Sequence, residues 1–184
     1  MSTLYRAPWW VTEAFDRTLR PLLYNPERIV RPFVGPGDRV ADIGCGTGFF
    51  SVPLARLAGP SGELVLVDAE EEMLRRAVER LRRDPAAGAR VSGVLTAGDD
   101  LPLPGEIDFA LLSWMLHEVE QPRAYWQALR GSLRPAGKVL VIEPLVHVSA
   151  ARYEAELAPA EDMGFTRAGV NGIFFSRAAV LTKV

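Results

Sequence analysis

Val40-Ala41-Asp42-Ile43-Gly44-Cys45-Gly46-Thr47-Gly48 is the stretch whose reading decides the fold. A short apolar strand runs into three closely spaced glycines, and the pattern beyond them predicts a helix from about Gly48 to Leu57. Residues without a Cβ let a nucleotide-like molecule lie against bare backbone. A second strand, Leu64-Val65-Leu66-Val67-Asp68, ends on a carboxylate 20 positions after Gly48, where it can hold a ribose.

The glycine spacing selects among cofactors. A dinucleotide fingerprint needs G-x-G-x-x-G, whose third glycine lets helix and strand pack closely. Counted from Gly44 and Gly46, that position is Phe49, followed by Phe50. The chain instead offers G-x-G-x-G ending at Gly48, and it has no G-x-x-x-x-G-K-[ST] phosphate loop. The loop allows close backbone approach without a pyrophosphate seat, which disfavours an NAD-linked enzyme.

Outward from this motif, strands alternate with helices. Met73, Leu74, Ala77, Val78 and Leu81 form the apolar face of a helix after Asp68. Its glutamates 70–72 lie in the first turn and Arg80, Arg82 and Arg83 in the last, complementing the helix dipole. Further strands are expected at Val91 to Leu95, Asp108 to Leu112, Lys138 to Glu143, Phe165 to Val170 and Ala178 to Thr182. Helices are expected from Pro122 to Leu133 and from Ala150 to Met163, the latter ending at Gly164. The alternation implies a doubly wound, mainly parallel α/β sheet with helices on both faces. Val11, Phe15, Leu19 and Leu22 recur at helical spacing and predict an amphipathic helix over residues 8–24, with a short second helix from Glu27 to Phe33. The chain is read as one domain over 1–184, residues 1–35 being a helical appendage and 36–184 the core.

Composition narrows the class. The 184 residues are 48% hydrophobic and 24% charged, an ordinary globular balance with a core large enough to need no metal or disulfide staple. A net charge of −2 gives no global attraction to nucleic acid or anionic membrane. The one cysteine, Cys45, excludes an internal disulfide and cysteine-rich metal sites, and is read as an inert filler of the loop. The first residues have no apolar signal-peptide core, and no apolar run is long enough to cross a bilayer. A cytoplasmic location without membrane attachment is the expectation.

The motif Asp42 to Gly48 with Asp68 resembles the first two motifs of class I S-adenosylmethionine-dependent methyltransferases. The resemblance continues in order through Asp68-Ala69-Glu70-Glu71-Glu72-Met73-Leu74, Asp99-Asp100-Leu101-Pro102-Leu103-Pro104, Leu116-His117-Glu118-Val119 and Leu133-Arg134-Pro135-Ala136-Gly137-Lys138. It spans about residues 26–184. Asn25-Pro26-Glu27-Arg28-Ile29-Val30 and Phe175-Ser176-Arg177-Ala178-Ala179-Val180-Leu181 are similar to a small prokaryotic, type 11-like branch. The resemblance implies a Rossmann-like seven-stranded sheet whose last strand is antiparallel. It implies S-adenosyl-L-methionine as cofactor, lying over Gly44, Gly46 and Gly48, with Asp42 in the first motif, Asp68 on the ribose and Ala69 or Met73 beside the adenine. It places Asp99, or alternatively Asp100, at the adenine amino group and the backbone near Ser113 at the methionine moiety.

In a doubly wound sheet the ligand lies beyond the carboxyl ends of the strands. His117 follows the fourth strand there, and Glu143 and His147 follow the fifth. His117 has an ordinary pKa of ~6.5, suited to proton shuttling, and is a candidate base. It is equally read as a helix cap or loop hydrogen-bonder. Glu143 and His147 are candidate pocket residues, and no metal cluster is evident. Trp9, Trp10 and Tyr5 would be a lid or would pack the appendage onto the core. Trp114, Tyr125 and Trp126 are read as packing, and the arginines of the helix after Asp68 as a solvated face.

The first functional expectation is a methyltransferase acting on a small molecule. The acidic balance speaks against nucleic acid, and Ser113-Trp114-Met115-Leu116 lacks the Asn-Pro-Pro-Tyr-like motif of adenine or glutamine methylation. Alternatives are a protein or RNA methyltransferase working with a partner subunit, and a cofactor-binding module without transfer activity. An exposed appendage is compatible with a homodimer.

Overall fold

The computed structural model describes residues 24–184, together with Thr18. The expected helix over 8–24, including Trp9 and Trp10, lies outside the described residues apart from Thr18 and Tyr24. In chain order the elements are α1 (Pro26–Val30), β1 (Arg39–Ile43), α2 (Ser51–Ala58), β2 (Glu63–Asp68), α3 (Glu71–Arg82) and β3 (Arg90–Leu95). Then follow β4 (Ile107–Ser113), a 3-10 turn (Leu116–Glu118), α4 (Pro122–Ser132), β5 (Leu133–Pro144), α5 (Ala150–Asp162), β6 (Phe165–Gly169) and β7 (Ser176–Lys183).

The strands form one seven-stranded sheet in the order β3-β2-β1-β4-β5-β7-β6. All pairings from β3 to β5 are parallel, and β7 runs antiparallel to both β5 and β6. The expected seven-stranded sheet with an antiparallel last strand is therefore what the chain forms. Strand alternation sorts the side chains into two cores. Val40, Leu64, Leu66, Phe109, Leu111 and Leu140 face α1, α2 and α3. Ala41, Val65, Ala110, Leu112, Val139 and Val141 face α4 and α5. Central strands buried on both faces read as continuous apolar runs for this reason.

On α3, Met73, Ala77 and Leu81 are buried at four-residue intervals, and Arg75 and Arg76 pair with Glu72 on the outer side. The arginines form a solvated face, as expected. Trp126 on α4 is fully buried and its indole N–H donates to the Glu156 carbonyl of α5 at 2.8 Å, joining the two helices.

Of the boundaries that differ from expectation, two have a clear backbone cause. Helix α2 starts at Ser51 rather than Gly48, because Gly46 and Gly48 sit at φ of 52° and 83°, outside helical space. Strand β5 starts at Leu133, before the expected turn at 134–137. Leu133 pairs with Ile107 and Lys138 with Phe109, so residues 134–137 bulge from the ladder.

Candidate functional site

Beyond the carboxyl ends of the strands, β1 and β4 lie side by side while their connections run to opposite sides of the sheet. This is the topological switch point where ligands enter doubly wound folds. The parallel register brings Ile43, Val67 and Leu112 level, with Ser113 level with Ile142. A cavity of about 380 Å³ opens there.

Its floor is the glycine turn. The amides of Gly44 and Cys45 donate to the Val67 carbonyl at 2.8 and 3.0 Å, pulling the turn over the end of β2. Gly44 has φ of 71°, and a Cβ on it would sit 2.8 Å from the Cβ of Met115. Asp68 accepts from the Gly46 amide at 2.9 Å through Oδ2 and from the Glu70 amide at 3.0 Å through Oδ1. A carboxylate has about four acceptor sites, more than these two amides occupy. Asp42, at the buried end of β1, accepts from the Ser51 hydroxyl at 2.6 Å and ties β1 to the start of α2. The Cys45 thiol is buried, and burial first, then the charges of Asp42 and Asp68, push its pKa well up. It stays a protonated, inert filler at neutral pH.

Asp42, Gly44, Gly46, Asp68, Ala69, Met73, Asp99 and Ser113 all line this cavity. Gly48 lies just outside this lining. A Cβ there would lie 3.0 Å from the Cα of Ala77, so Gly48 lets α3 close against the turn. Asp99 also has partners within the chain. Its two oxygens accept from the Glu120 and Gln121 amides at 3.1 and 2.5 Å, pinning the chain just before α4. Asp100, the alternative, lines the same wall.

The opposite wall follows β4. Trp114, at φ of 60°, turns the chain sharply while its amide donates to the Ile142 carbonyl at 2.8 Å. A non-glycine residue held in this region is a feature of functional sites. The turn sets Met115 and His117 facing the cavity, with Tyr125 and His147 beside them. Glu143 is fully buried and does not line the cavity. It lies behind His117: Oε1 accepts from the Leu116 amide at 2.8 Å, and Oε2 is 2.6 Å from His117 Nδ1. The rings of His117 and His147 stack at 6.3 Å. Arg152 of α5 donates to the His117 carbonyl and, at 2.7 Å, to Glu156. Desolvation opposes a charged His117 ring, but the hydrogen bond and charge of Glu143, helped by Glu118, outweigh it and raise the pKa.

Tyr125 and Trp114, expected as packing, line the cavity, and so do Met115, Phe49 and Phe50. Phe49 and Phe50 follow the glycine turn directly, and Trp114 and Met115 precede His117, so adjacency to the motifs was their only signal. Tyr125 lies on α4 and carried none. Its hydroxyl is pushed upward by burial, with Asp99 adding to the effect, and is a neutral phenol at physiological pH.

Residues 40–137, more than half of the chain, match the family model described as a methyltransferase domain. The chain belongs to this family. It is a class I S-adenosylmethionine-dependent methyltransferase domain. It is 35% identical over 123 residues to the ubiquinone/menaquinone biosynthesis C-methyltransferase UbiE of Yersinia enterocolitica, covering 65% of this chain and 49% of that protein. It is 35% identical over 111 residues to UbiE of Pasteurella multocida, covering 60% and 41%. The methyltransferase domain thus spans about half the length of the curated relatives it matches. Its fold is similar to that of a SAM-dependent methyltransferase from Aquifex aeolicus, with a TM-score of 0.82 at 21% identity over 97% of this chain and 100% of that one. A Methanococcus maripaludis structure, titled a putative S-adenosyl-L-methionine-dependent methyltransferase, gives 0.78 at 14% identity over 98% and 96%.

The residues present fit this cofactor. Apart from His117 and His147, the described side chains lining the cavity that carry charge are carboxylates, namely Asp42, Asp68, Glu70, Asp99, Asp100 and Glu118. A sulfonium is a cation, and carboxylates favour it electrostatically. Asp68 supplies acceptors for a ribose, and Gly44 and Gly46 keep the floor free of side chains.

Proposed function

We propose that this domain transfers a methyl group from S-adenosyl-L-methionine to a small, uncharged molecule seated among Met115, His117, Tyr125 and His147. The observation that carries the reading is that the glycine turn, Asp68 and His117 open into one cavity whose lining, among the described residues, holds six carboxylates and neither lysine nor arginine. Asp68 would hold the ribose hydroxyls, Ala69 and Met73 the adenine, and the backbone near Ser113 the methionine end. When bound, the cofactor supplies an activated methyl group. The chain's task is to hold donor and nucleophile in line, and positioning of this kind supplies roughly 7–11 kcal/mol.

The same carboxylates repel anionic acceptors, so phosphate-bearing or carboxylate-bearing molecules are poor fits. A nucleic-acid acceptor is disfavoured on this ground. The relatives are named for ubiquinone and menaquinone biosynthesis. A small-molecule acceptor for this chain agrees with that likeness.

Labelled methyl donor incubated with the protein and with separate small-molecule, protein and RNA fractions of a lysate tests the proposal. Label is expected in the small-molecule fraction. Transfer confined to protein or RNA would replace this reading with the macromolecular one, and donor binding without transfer to any fraction would point to a binding module.

A further inference from the structure

We propose that Glu143 is a positioning residue that fixes His117 with its proton on Nδ1, leaving Nε2 bare toward the cavity as the proton acceptor for a hydroxyl-bearing substrate. The inference rests on the methyl-transfer reading of the same cavity. Its observations are the 2.6 Å contact between Nδ1 and Glu143 Oε2, the complete burial of Glu143, and the opening of His117 into the cavity. A carboxylate only accepts hydrogen bonds, so the ring nitrogen facing it carries the proton. Nε2 lies on the other side of the ring. Glu143 cannot swing away, because its second oxygen is held by the Leu116 amide at 2.8 Å, one residue before the ring it orients. Arg152 clamps the His117 carbonyl from α5, so both the backbone and the ring of His117 are fixed.

Burial of this carboxylate has no packing rationale. Glu143 is the strand residue after Ile142, and a buried carboxylate is costly unless its partners satisfy it. Its two partners both belong to the Leu116–Glu118 turn.

The assignment defines the acceptor class. An amine can be methylated first and lose its proton afterwards to water. A neutral hydroxyl is a weak nucleophile and gains most from losing its proton as the new bond forms. In the step, the acceptor O–H bond breaks and its proton passes to Nε2. The new O–CH₃ bond forms from an oxygen electron pair, and the electron pair of the broken carbon–sulfur bond stays on sulfur. The ring becomes an imidazolium stabilised by Glu143 and then releases the proton to solvent.

The groups facing the ring from neighbouring elements are Glu143 of β5, Glu118 of its own turn, Arg152 and Glu156 of α5, and His147 of the following loop. Their balance raises the His117 pKa above its ordinary value, so the ring reaches its basic form at a higher pH than an ordinary histidine.

The test is ¹H–¹⁵N long-range NMR of the full chain labelled at histidine, with a His147→Gln variant assigning the two rings. Calorimetric titration with S-adenosylhomocysteine accompanies each sample. Wild-type His117 is expected to titrate above about 6.5 and, in its neutral form above that titration, to show a protonated Nδ1 and bare Nε2. Glu143→Gln is expected to reverse the tautomer, because its amide would donate to Nδ1, and to bring the titration down. Glu143→Asp is expected to restore the Nδ1 proton. With the small-molecule fraction that accepts labelled methyl, Glu143→Gln is expected to lower the rate by about 10²-fold or more, with the double variant His117→Ala/Glu143→Gln no slower than His117→Ala. A proton on Nε2 of the neutral wild-type ring, above its titration, overturns the proposal without any variant, as does a Glu143→Gln protein that binds S-adenosylhomocysteine and transfers at the wild-type rate. Failure of the wild type to bind S-adenosylhomocysteine would instead overturn the methyl-transfer reading.

Discussion

At the residue scale, Asp68 does two jobs with one carboxylate. It closes the glycine turn through the Gly46 amide and faces the cavity where a ribose would lie. Hydrogen bonds to a charged group are worth about 1.5–3 kcal/mol. Asp68→Asn is therefore expected to weaken S-adenosylhomocysteine binding by roughly 10-fold to 100-fold in calorimetry. Gly48 acts on packing instead. Gly48→Ala forces a Cβ to 3.0 Å from Ala77 at a positive φ, and should cost about 1–3 kcal/mol in denaturant unfolding. His117 gives a pH signature. Its pKa is raised in the folded state, so its stabilisation is complete below about pH 6.5 and is lost as pH rises through the raised value. The stability difference between wild type and His117→Gln should shrink as pH rises from about 6.5 through that raised value, measured by urea midpoints.

At the element scale, α4 and α5 form the wall behind the dyad, and Trp126 joins them. Trp126→Ala should cost about 3–5 kcal/mol. Trp126→Phe should cost less, about 1–3 kcal/mol, because the buried Glu156 carbonyl loses its indole donor while most of the apolar volume stays. Urea unfolding of both variants checks the ranking. The turn before α4 is held from a distance by Asp99, whose neighbours in sequence give no hint of that role. Its carboxylate meets the Glu120 and Gln121 amides only because β3 and β4 bring the two loops to the same rim.

At the scale of the whole molecule, the sheet order gathers the ends of β1, β2, β4 and β5 around one cavity. A ligand that binds only the folded chain stabilises it by mass action, about 2.7 kcal/mol at 100 times its Kd. S-adenosylhomocysteine at that level should raise Tm by roughly 5–10 °C. NAD at equal concentration should leave Tm unchanged, since Phe49 stands where the dinucleotide seat needs a glycine. Among the described residues no helix is long and apolar enough to cross a membrane.

The sequence by itself determined the sheet, the glycine turn and the Asp68 end of β2. Those are local signals: apolar runs of strand length, glycines at fixed offsets and a carboxylate closing a buried strand. Its reading of the later cavity wall was partial. His117, Glu143 and His147 were legible as residues at strand ends, but their relation was not, because 26 positions separate His117 from Glu143. Tertiary structure alone decided that Glu143 stands behind His117 rather than in the cavity, that Gly48 faces Ala77, that Asp99 holds the α4 entrance, and that Tyr125 reaches the cavity. Each depends on which strand ends become neighbours, and the parallel register between β4 and β5 fixes that only after the chain has folded.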